Sequence, residues 1–171
     1  MNAMTFEIRK ATVADAEGIA FVHVKAWQES YGYALPQTEL DAMNPADRVE
    51  RWRNILNGAE QQAYVAVNDA HQIVGWATAG SCRDEDRPGE FELYAIYLLA
   101  AAHGSGAGQA LLDAAIGNQA ASLWMMAGNK RAERFYLKNG FVPDGVTRNE
   151  EIWGVTVNEI RMQRPEIRSG Q

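Results

Sequence analysis

The sequence has little of several features that mark particular classes of protein. Its single cysteine, Cys82, excludes an intrachain disulfide and any cysteine-based zinc site. No apolar run approaches the length of a membrane span, and the N-terminus lacks the basic-then-apolar pattern of a secretion signal. Sixteen basic residues stand against twenty-two acidic ones, so the net charge of −6 provides no basic surface for nucleic acid. We therefore expect a cytoplasmic protein that binds neither membranes nor nucleic acid.

What the sequence does contain is the residue mixture typical of one globular domain. Hydrophobic residues make up 47% of the 171 positions and charged residues 22%, which is enough for a substantial core. Strand and helix periodicities alternate along the chain, which predicts an α/β or α+β domain over 1–163, with a flexible tail over 164–171. Strands are predicted over 6–9, 63–67, 73–78, 91–98, 123–126, near Phe141 and over 155–162. Helices are predicted after Thr12-Val-Ala-Asp15, over 45–57, over 106–119, and from Asn129 to Gly140.

The most informative segment is an apolar strand, 91–98, that leads into three glycines at alternate positions. These are Gly104, Gly106 and Gly108, and an apolar helix follows them at once. Glycine lets the backbone turn sharply and bring its N–H groups close to a ligand. The helix adds the positive end of its dipole. The segment therefore predicts a cradle for a diphosphate group.

Two common diphosphate-binding motifs do not fit this segment. A glycine pattern alone is a weak match to the dinucleotide fingerprint. Here the turn lies past the middle of the chain, and no acidic residue follows at the end of the next strand. A nucleoside-triphosphate loop is excluded because no Gly-Lys-Ser/Thr follows the glycines.

Two sequence blocks carry the strongest indication of function. The first is Leu98-Leu99 followed by His103-Gly-Ser-Gly-Ala-Gly108, and the second runs from Asn129-Lys-Arg-Ala through Phe135-Tyr136 to Gly140-Phe141. Together they resemble the GNAT superfamily of acetyl-CoA-dependent N-acetyltransferases in residues, order and separation. The resemblance implies one domain with a mixed, mostly antiparallel central sheet flanked by helices. It also implies acetyl-CoA as cofactor and direct transfer of the acetyl group to an amine.

The first block departs from the family pattern at three positions. His103 replaces the usual arginine or glutamine, and Ala100 and Ala102 stand where many relatives carry proline and an aromatic residue. We expect these changes to affect cofactor affinity more than the type of reaction, because backbone N–H groups make the phosphate contacts.

The resemblance also implies a set of site residues. The cofactor-binding residues would be Ile96, Tyr97, Leu98, His103, Gly104, Ser105, Gly106, Ala107, Gly108, Gln109, Asn129 and Tyr136. The acceptor-binding residues would be Trp27, Tyr31, Glu92 and Tyr94. Asn129 also has a purely structural interpretation as a helix cap. No metal site is expected, because His23 and His71 lack partners at ligand spacing.

Glu92 is the candidate general base. An alkyl amine titrates near pH ~10.4, so a base is useful at neutral pH. Glu92 lies six residues before Leu98, where many family members carry their catalytic glutamate, and it interrupts an otherwise apolar strand. Strand alternation predicts that Glu92, Tyr94, Ile96 and Leu98 share one face. The structural alternative is a carboxylate in solvent or paired with an arginine.

Tyr136 occupies the family position for protonating the coenzyme thiolate, and its structural alternative is a tyrosine packed beside Phe135. The Leu98 N–H is the candidate donor to the developing oxyanion. Cys82 has no visible base beside it, so an acyl-cysteine mechanism is not expected.

The acceptor is the least defined part of the prediction. His23, Trp27 and Tyr31 recur at helical spacing, which favours core packing but also suits an aromatic wall for an ammonium group. With Leu35-Pro36 and Leu40-Asp41 this row resembles a subgroup that includes polyamine acetyltransferases. A small amine or polyamine is the first expectation. A protein N-terminus or lysine is the alternative acceptor, and a non-catalytic acyl-CoA sensor is the alternative function. The sequence leaves open whether the protein forms a homodimer.

Overall fold

Seven strands within residues 5–170, the part of the chain that this computed structural model describes, form one open sheet. The strands are β1 (Phe6–Lys10), β2 (Gln61–Asn68), β3 (Ile73–Ser81), β4 (Phe91–Leu98), β5 (Ala121–Met126), β6 (Val142–Ile152) and β7 (Val155–Arg164). The helices are α1 (Ala16–Ser30), α2 (Gln37–Ala42), α3 (Ala46–Asn57), α4 (Ala107–Ile116) and α5 (Lys130–Lys138). All predicted elements are present, and α2 is an addition. Residues 1–4 and 171, which belong to the predicted domain and tail, lie outside the described part.

The strand order is β1-β2-β3-β4-β5-β7-β6, and every neighbouring pair except β4 and β5 is antiparallel. The prediction of a mixed, mostly antiparallel sheet flanked by helices is therefore confirmed. Helix α4 packs on one face of β1 to β4, and α1 and α3 pack on the other. Within the described residues, no helix is both long and apolar enough to cross a bilayer.

Local capping positions two helices as the sequence predicts. The Asp15 carboxylate accepts the Thr12 N–H at 2.7 Å before α1 and is paired with the Arg9 guanidinium, which lowers its pKa. Asn129 caps α5, because its side-chain oxygen accepts the Ala132 N–H at 3.2 Å. Gly140 follows α5 with a φ of +86°, a conformation that glycine adopts without steric cost.

A β-bulge in β4 overturns the predicted face assignment. Ala95 pairs with Thr78, but Leu93 pairs with Ala79, so Tyr94 is an extra residue opposite β3. The extra residue shifts the alternation by one position. Leu93, Ile96 and Leu98 consequently pack with the α4 side of the sheet, whereas Glu92, Ala95 and Tyr97 face the α1 side. The uninterrupted period had predicted that Glu92 shares a face with Ile96 and Leu98. The bulge makes that prediction wrong.

The end of β7 differs from the predicted tail. Arg164, the predicted first tail residue, is part of β7 and 4% exposed. Its guanidinium lies 5.1 Å from the centre of the Phe141 ring and donates to the Gln119 carbonyl at 3.2 Å. Beyond the strand, the Ile167 N–H donates to the Asn118 carbonyl at 2.8 Å. The chain therefore stays attached to the domain past residue 164.

Strands β4 and β5 separate soon after they begin. They pair only at Glu92 with Ser122 and at Leu93 with Leu123, and beyond Leu93 β4 pairs with β3 alone. The Leu99 N–H donates to the Val74 carbonyl of β3. Because alternate amides of a strand point to opposite edges, the N–H groups of Leu98 and Ile96 point to the open edge.

Candidate active site

A cavity of about 670 Å³ lies at the opening between β4 and β5. We call two parts of its lining the turn wall and the aromatic wall. The turn wall consists of His103, Gly104, Gly106, Gly108, Gln109, Asn129, Arg131 and Lys138. The aromatic wall consists of Trp27, Tyr31, Tyr94, Trp124, Arg148, Glu150, Ile152 and Glu159. Ile96, Tyr97, Leu98 and Tyr136 line the space between them.

The turn wall presents backbone amides that the protein itself does not use. Among the described residues, no hydrogen bond uses the N–H of Gly104, Gly106, Gly108 or Gln109. The intervening amides are occupied: those of His103 and Ser105 donate to carbonyls, and that of Ala107 donates to the Ser105 hydroxyl at 3.2 Å. The first-turn amides of a helix have no partner inside that helix. The wall can therefore bind an anion through the N–H groups of these four residues.

The glycines are required by backbone conformation rather than by packing. Gly104 and Gly106 have φ values of +76° and +90°, which strain other residues. A Cβ added at Gly104 would meet no atom within 4 Å, and one at Gly106 would meet only Phe6 at 3.9 Å. The uncovered turn therefore leaves room for a ligand against its amides. Diphosphate oxygens, as in acetyl-CoA, fit this surface.

Cationic side chains of the turn wall come from α5. Arg131 and Lys138 are exposed and line the cavity, and their positive charge suits phosphate groups. Burial and the nearby Arg131 lower the pKa of His103, so this histidine is neutral at pH 7. The sequence analysis missed both cations, although they lie within the second block.

Three tyrosines, one from the aromatic wall and two from the space between the walls, lie close together. The hydroxyls of Tyr31 and Tyr97 are 3.2 Å apart, and burial raises the pKa of both groups. Tyr136 is 8% exposed and packs edge-on against Phe141. Burial, with a smaller contribution from Tyr97, raises the Tyr136 pKa well above its usual value. All three phenols therefore keep their protons at neutral pH.

Glu92 is buried, and its carboxylate forms an ion pair with an arginine. It is 1% exposed, and the Arg83 Nε and Nη2 each donate to one of its carboxylate oxygens at 3.0 Å. The Arg83 backbone N–H donates to the same carboxylate at 3.1 Å, and the guanidinium covers the Tyr94 ring at 4.1 Å. Arg83 and Tyr94 line the cavity, whereas Glu92 does not.

The structure places most of the predicted site residues in this cavity. Besides Glu92, the two exceptions are Ser105 and Ala107, which do not line it. Asn129 combines its helix-cap role with a place on the turn wall. Trp52 and Trp76 are buried packing residues. No cluster of metal-ligating side chains occurs among residues 5–170.

The aromatic wall contains the residues that sequence analysis missed. On this side, Arg148 lies 4.1 Å above the Trp124 ring and donates to Glu159 at 3.2 Å. The centre of the Trp27 ring lies 5.1 Å from the centre of the Tyr31 ring and 6.1 Å from that of Trp153. No local motif marks these strand residues, because their proximity arises from the β5–β7–β6 pairing.

Comparisons with known proteins agree with this geometry. The acetyltransferase (GNAT) domain family matches residues 59–143. The "Uncharacterized N-acetyltransferase YuaI" of Bacillus subtilis (strain 168) is 30% identical over 168 residues, covering 94% of this chain and 93% of that protein.

Solved structures have the same fold. A GCN5-related N-acetyltransferase from Rhodopseudomonas palustris superposes with a TM-score of 0.72 at 20% identity, covering 96% of this chain and 98% of the other. The PaiA N-acetyltransferase from Thermoplasma acidophilum, solved in complex with coenzyme A, gives a TM-score of 0.68 at 18% identity, with 95% and 99% covered. The chain therefore belongs to the GNAT family and is an acetyl-CoA-dependent N-acetyltransferase.

Proposed function

We propose that this enzyme acetylates a primary amine of a small cationic molecule of the polyamine type. The observation that carries the proposal is the composition of the aromatic wall, where aromatic faces lie beside carboxylates. Aromatic rings and carboxylates both attract an alkylammonium group. Two carboxylates, Glu150 and Glu159, line this wall, and Glu92 lies behind Arg83.

A tryptophan beside the aromatic wall favours a small molecule over a protein acceptor. The β6–β7 hairpin turns at Trp153, whose φ of +50° is unusual for a bulky residue. This conformation places the Trp153 ring against Trp27, beside the cavity. A peptide or protein N-terminus or a lysine side chain is the competing acceptor class, and the experiment below includes it.

We propose that Glu92 is the general base. Because Arg83 covers its carboxylate, we expect the proton of the acceptor ammonium to reach Glu92 through water. Glu92→Gln would then remove the proton acceptor while keeping the shape of the side chain. The variant would depend on the small fraction of amine that is already neutral, so its loss of turnover would be greatest at low pH.

The chain's remaining groups would position and stabilise the reactants. When bound, acetyl-CoA supplies the acetyl thioester and a thiol leaving group. We propose that the N–H of Leu98 donates to the developing oxyanion and that the N–H of Ile96 binds the cofactor arm as an added strand would. The Tyr136 hydroxyl, protonated at neutral pH, would donate a proton to the leaving sulfur.

A thiol-release assay with purified protein and acetyl-CoA tests the proposed function. The acceptors are alkyl amines, diamines, amino acids and peptides with free N-termini or lysines. We expect turnover with amines and diamines, and a kcat loss of about 10²-fold or more for Tyr136→Phe and Glu92→Gln. Turnover confined to peptides would refute the small-molecule acceptor. Full activity of Tyr136→Phe, or an unchanged pH–rate profile for Glu92→Gln, would remove the corresponding role.

A further inference from the structure

We propose that Glu159 binds a second cationic nitrogen of the acceptor, the one that is not acetylated. This inference rests on the proposed function, because it concerns how the same cavity selects its amine. It makes Glu159 a specificity-determining residue that distinguishes diamines from monoamines.

Glu159 occupies a protected position in the aromatic wall. Its side chain is 16% exposed, and it lies between Met126 of β5 and Arg148 of β6 in the strand register. Glu150, the other carboxylate of this wall, has a side chain that is 48% exposed. Water screens a carboxylate less when it is sheltered, so Glu159 would attract a cation more strongly.

Glu159 retains capacity for a ligand although it pairs with an arginine. Its Oε2 accepts from Arg148 Nη2 at 3.2 Å, and no hydrogen bond within residues 5–170 uses Oε1. Arg148 is also shared, because its Nε lies 3.6 Å from Glu150 and its guanidinium covers the Trp124 ring. An ionised carboxylate accepts about four hydrogen bonds, so Glu159 has room for an ammonium group.

The strand register places Glu159 and Glu92 too far apart to bind one nitrogen. Glu92 lies opposite Ser122 of β5, which lies opposite Gln163 of β7, and Glu159 is four residues from Gln163. Two strand spacings and four residues of rise correspond to roughly 17 Å between the Cα atoms. If the reacting nitrogen loses its proton toward Glu92, a cation at Glu159 belongs to a different nitrogen of the same acceptor.

The surface between the two carboxylates suits an alkyl chain. The Trp27, Tyr31 and Tyr97 rings are close neighbours there, with Trp27 and Tyr31 perpendicular at 5.1 Å. Tyr97 and Glu159 line the same cavity. An acceptor with amines at both ends could therefore lie against the rings with one end at Glu159.

The test compares a linear diamine that has a four-carbon spacer with butylamine, which lacks the second nitrogen. The readout is the ratio of kcat/KM values for the two acceptors at saturating acetyl-CoA. We expect the native enzyme to favour the diamine at least tenfold, through KM. In Glu159→Gln this preference should fall below about threefold, because kcat/KM should fall much more for the diamine than for butylamine. Calorimetry of diamine binding to the enzyme–coenzyme A complex should show a matching loss of affinity.

Two further variants separate ligand binding from a structural role. Glu151→Gln removes an exposed carboxylate from the same hairpin and should keep the native preference. Arg148→Met removes the Glu159 partner. If Glu159 only holds Arg148 in place, Arg148→Met will abolish the preference as Glu159→Gln does. If Glu159 binds the ligand, Arg148→Met will keep or strengthen it.

Two failures have different meanings. Native enzyme that acetylates butylamine and the diamine equally well would overturn the role of Glu159 and leave the proposed function intact. Equal losses for both acceptors in Glu159→Gln would also overturn it. Native enzyme that releases no thiol with any small amine would refute the proposed function itself.

Discussion

His23 makes the stability of this protein depend on pH above the range in which carboxylates titrate. Its ring lies between four aromatic rings, with centroid distances from 5.7 to 6.1 Å, and its Nδ1 accepts the Trp52 Nε1–H at 3.3 Å. Burial, aided by the positive charges of Arg48 and Arg51, lowers the pKa of His23 to about 4. An unfolded chain has a histidine pKa of about 6.5.

The sign of the effect follows from these two pKa values. Below pH 6.5 the unfolded chain binds a proton on His23 that the folded protein does not bind until about pH 4. Acidification through this window therefore stabilises the unfolded state. The linkage relation gives a loss of about 2 kcal/mol between pH 7 and pH 5. Above pH 7 the contribution of His23 is constant.

Urea unfolding at the two pH values measures this loss. His23→Asn keeps an acceptor for the Trp52 indole and removes the titration. Between pH 7 and pH 5 its free energy of unfolding should therefore fall by about 2 kcal/mol less than that of the native protein. His71→Asn is the matched control, because His71 is exposed and its φ of +60° suits asparagine. It should keep the native pH dependence. Equal pH dependence in native protein and His23→Asn would refute the reasoning.

Three further predictions concern backbone and charge. Gly106→Ala should weaken coenzyme A binding at least tenfold by calorimetry, whereas Gly140→Ala, with a similar φ but outside the cavity, should lose comparable stability and keep the affinity. Gly75→Ala would place a Cβ 2.4 Å from Leu98, so its melting temperature should fall by several degrees, and an unchanged value would contradict this packing. Arg161→Met removes the buried cation that pairs with Asp84, Asp86 and Asp144; Asp144 keeps a more distant partner in Arg87 at 3.5 Å, and urea unfolding should show a loss of about 3 kcal/mol. Arg161→Lys should recover only part of it, because lysine cannot donate in the same fork; full recovery would refute the forked geometry.

The features that the sequence predicted well are local ones. The turn glycines need particular backbone angles, and Asn129 caps the helix that follows it, so neighbouring residues determine both. The strands predicted over 63–67 and 73–78 are also local, and they pair with each other as a hairpin. Adjacent residues specify such elements before any tertiary contact forms.

The features that the sequence did not predict depend on residues far apart in the chain. The bulge at Tyr94 is visible only in the pairing with β3, because one extra residue leaves the apolar pattern of β4 looking regular. Glu159 and Arg148 reach the cavity because β7 lies between β5 and β6. Arg83 reaches Glu92 from a charged loop that carries no strand or helix pattern. Nothing local distinguishes these residues from ordinary surface charges.

Strands β4 and β5 pair over a short length, so a ligand bound between them should stabilise both sides of the sheet. Backbone pairing between the four strands on one side and the three on the other is limited to two facing residue pairs, and the shared hydrophobic core and ion pairs from the 83–90 loop to β7 provide other contacts. A ligand that binds along the gap would act as a cross-link between two blocks that otherwise share little backbone bonding. Amide hydrogen exchange should therefore become slower in both blocks together once coenzyme A is present, including in β6, which is not paired with β4.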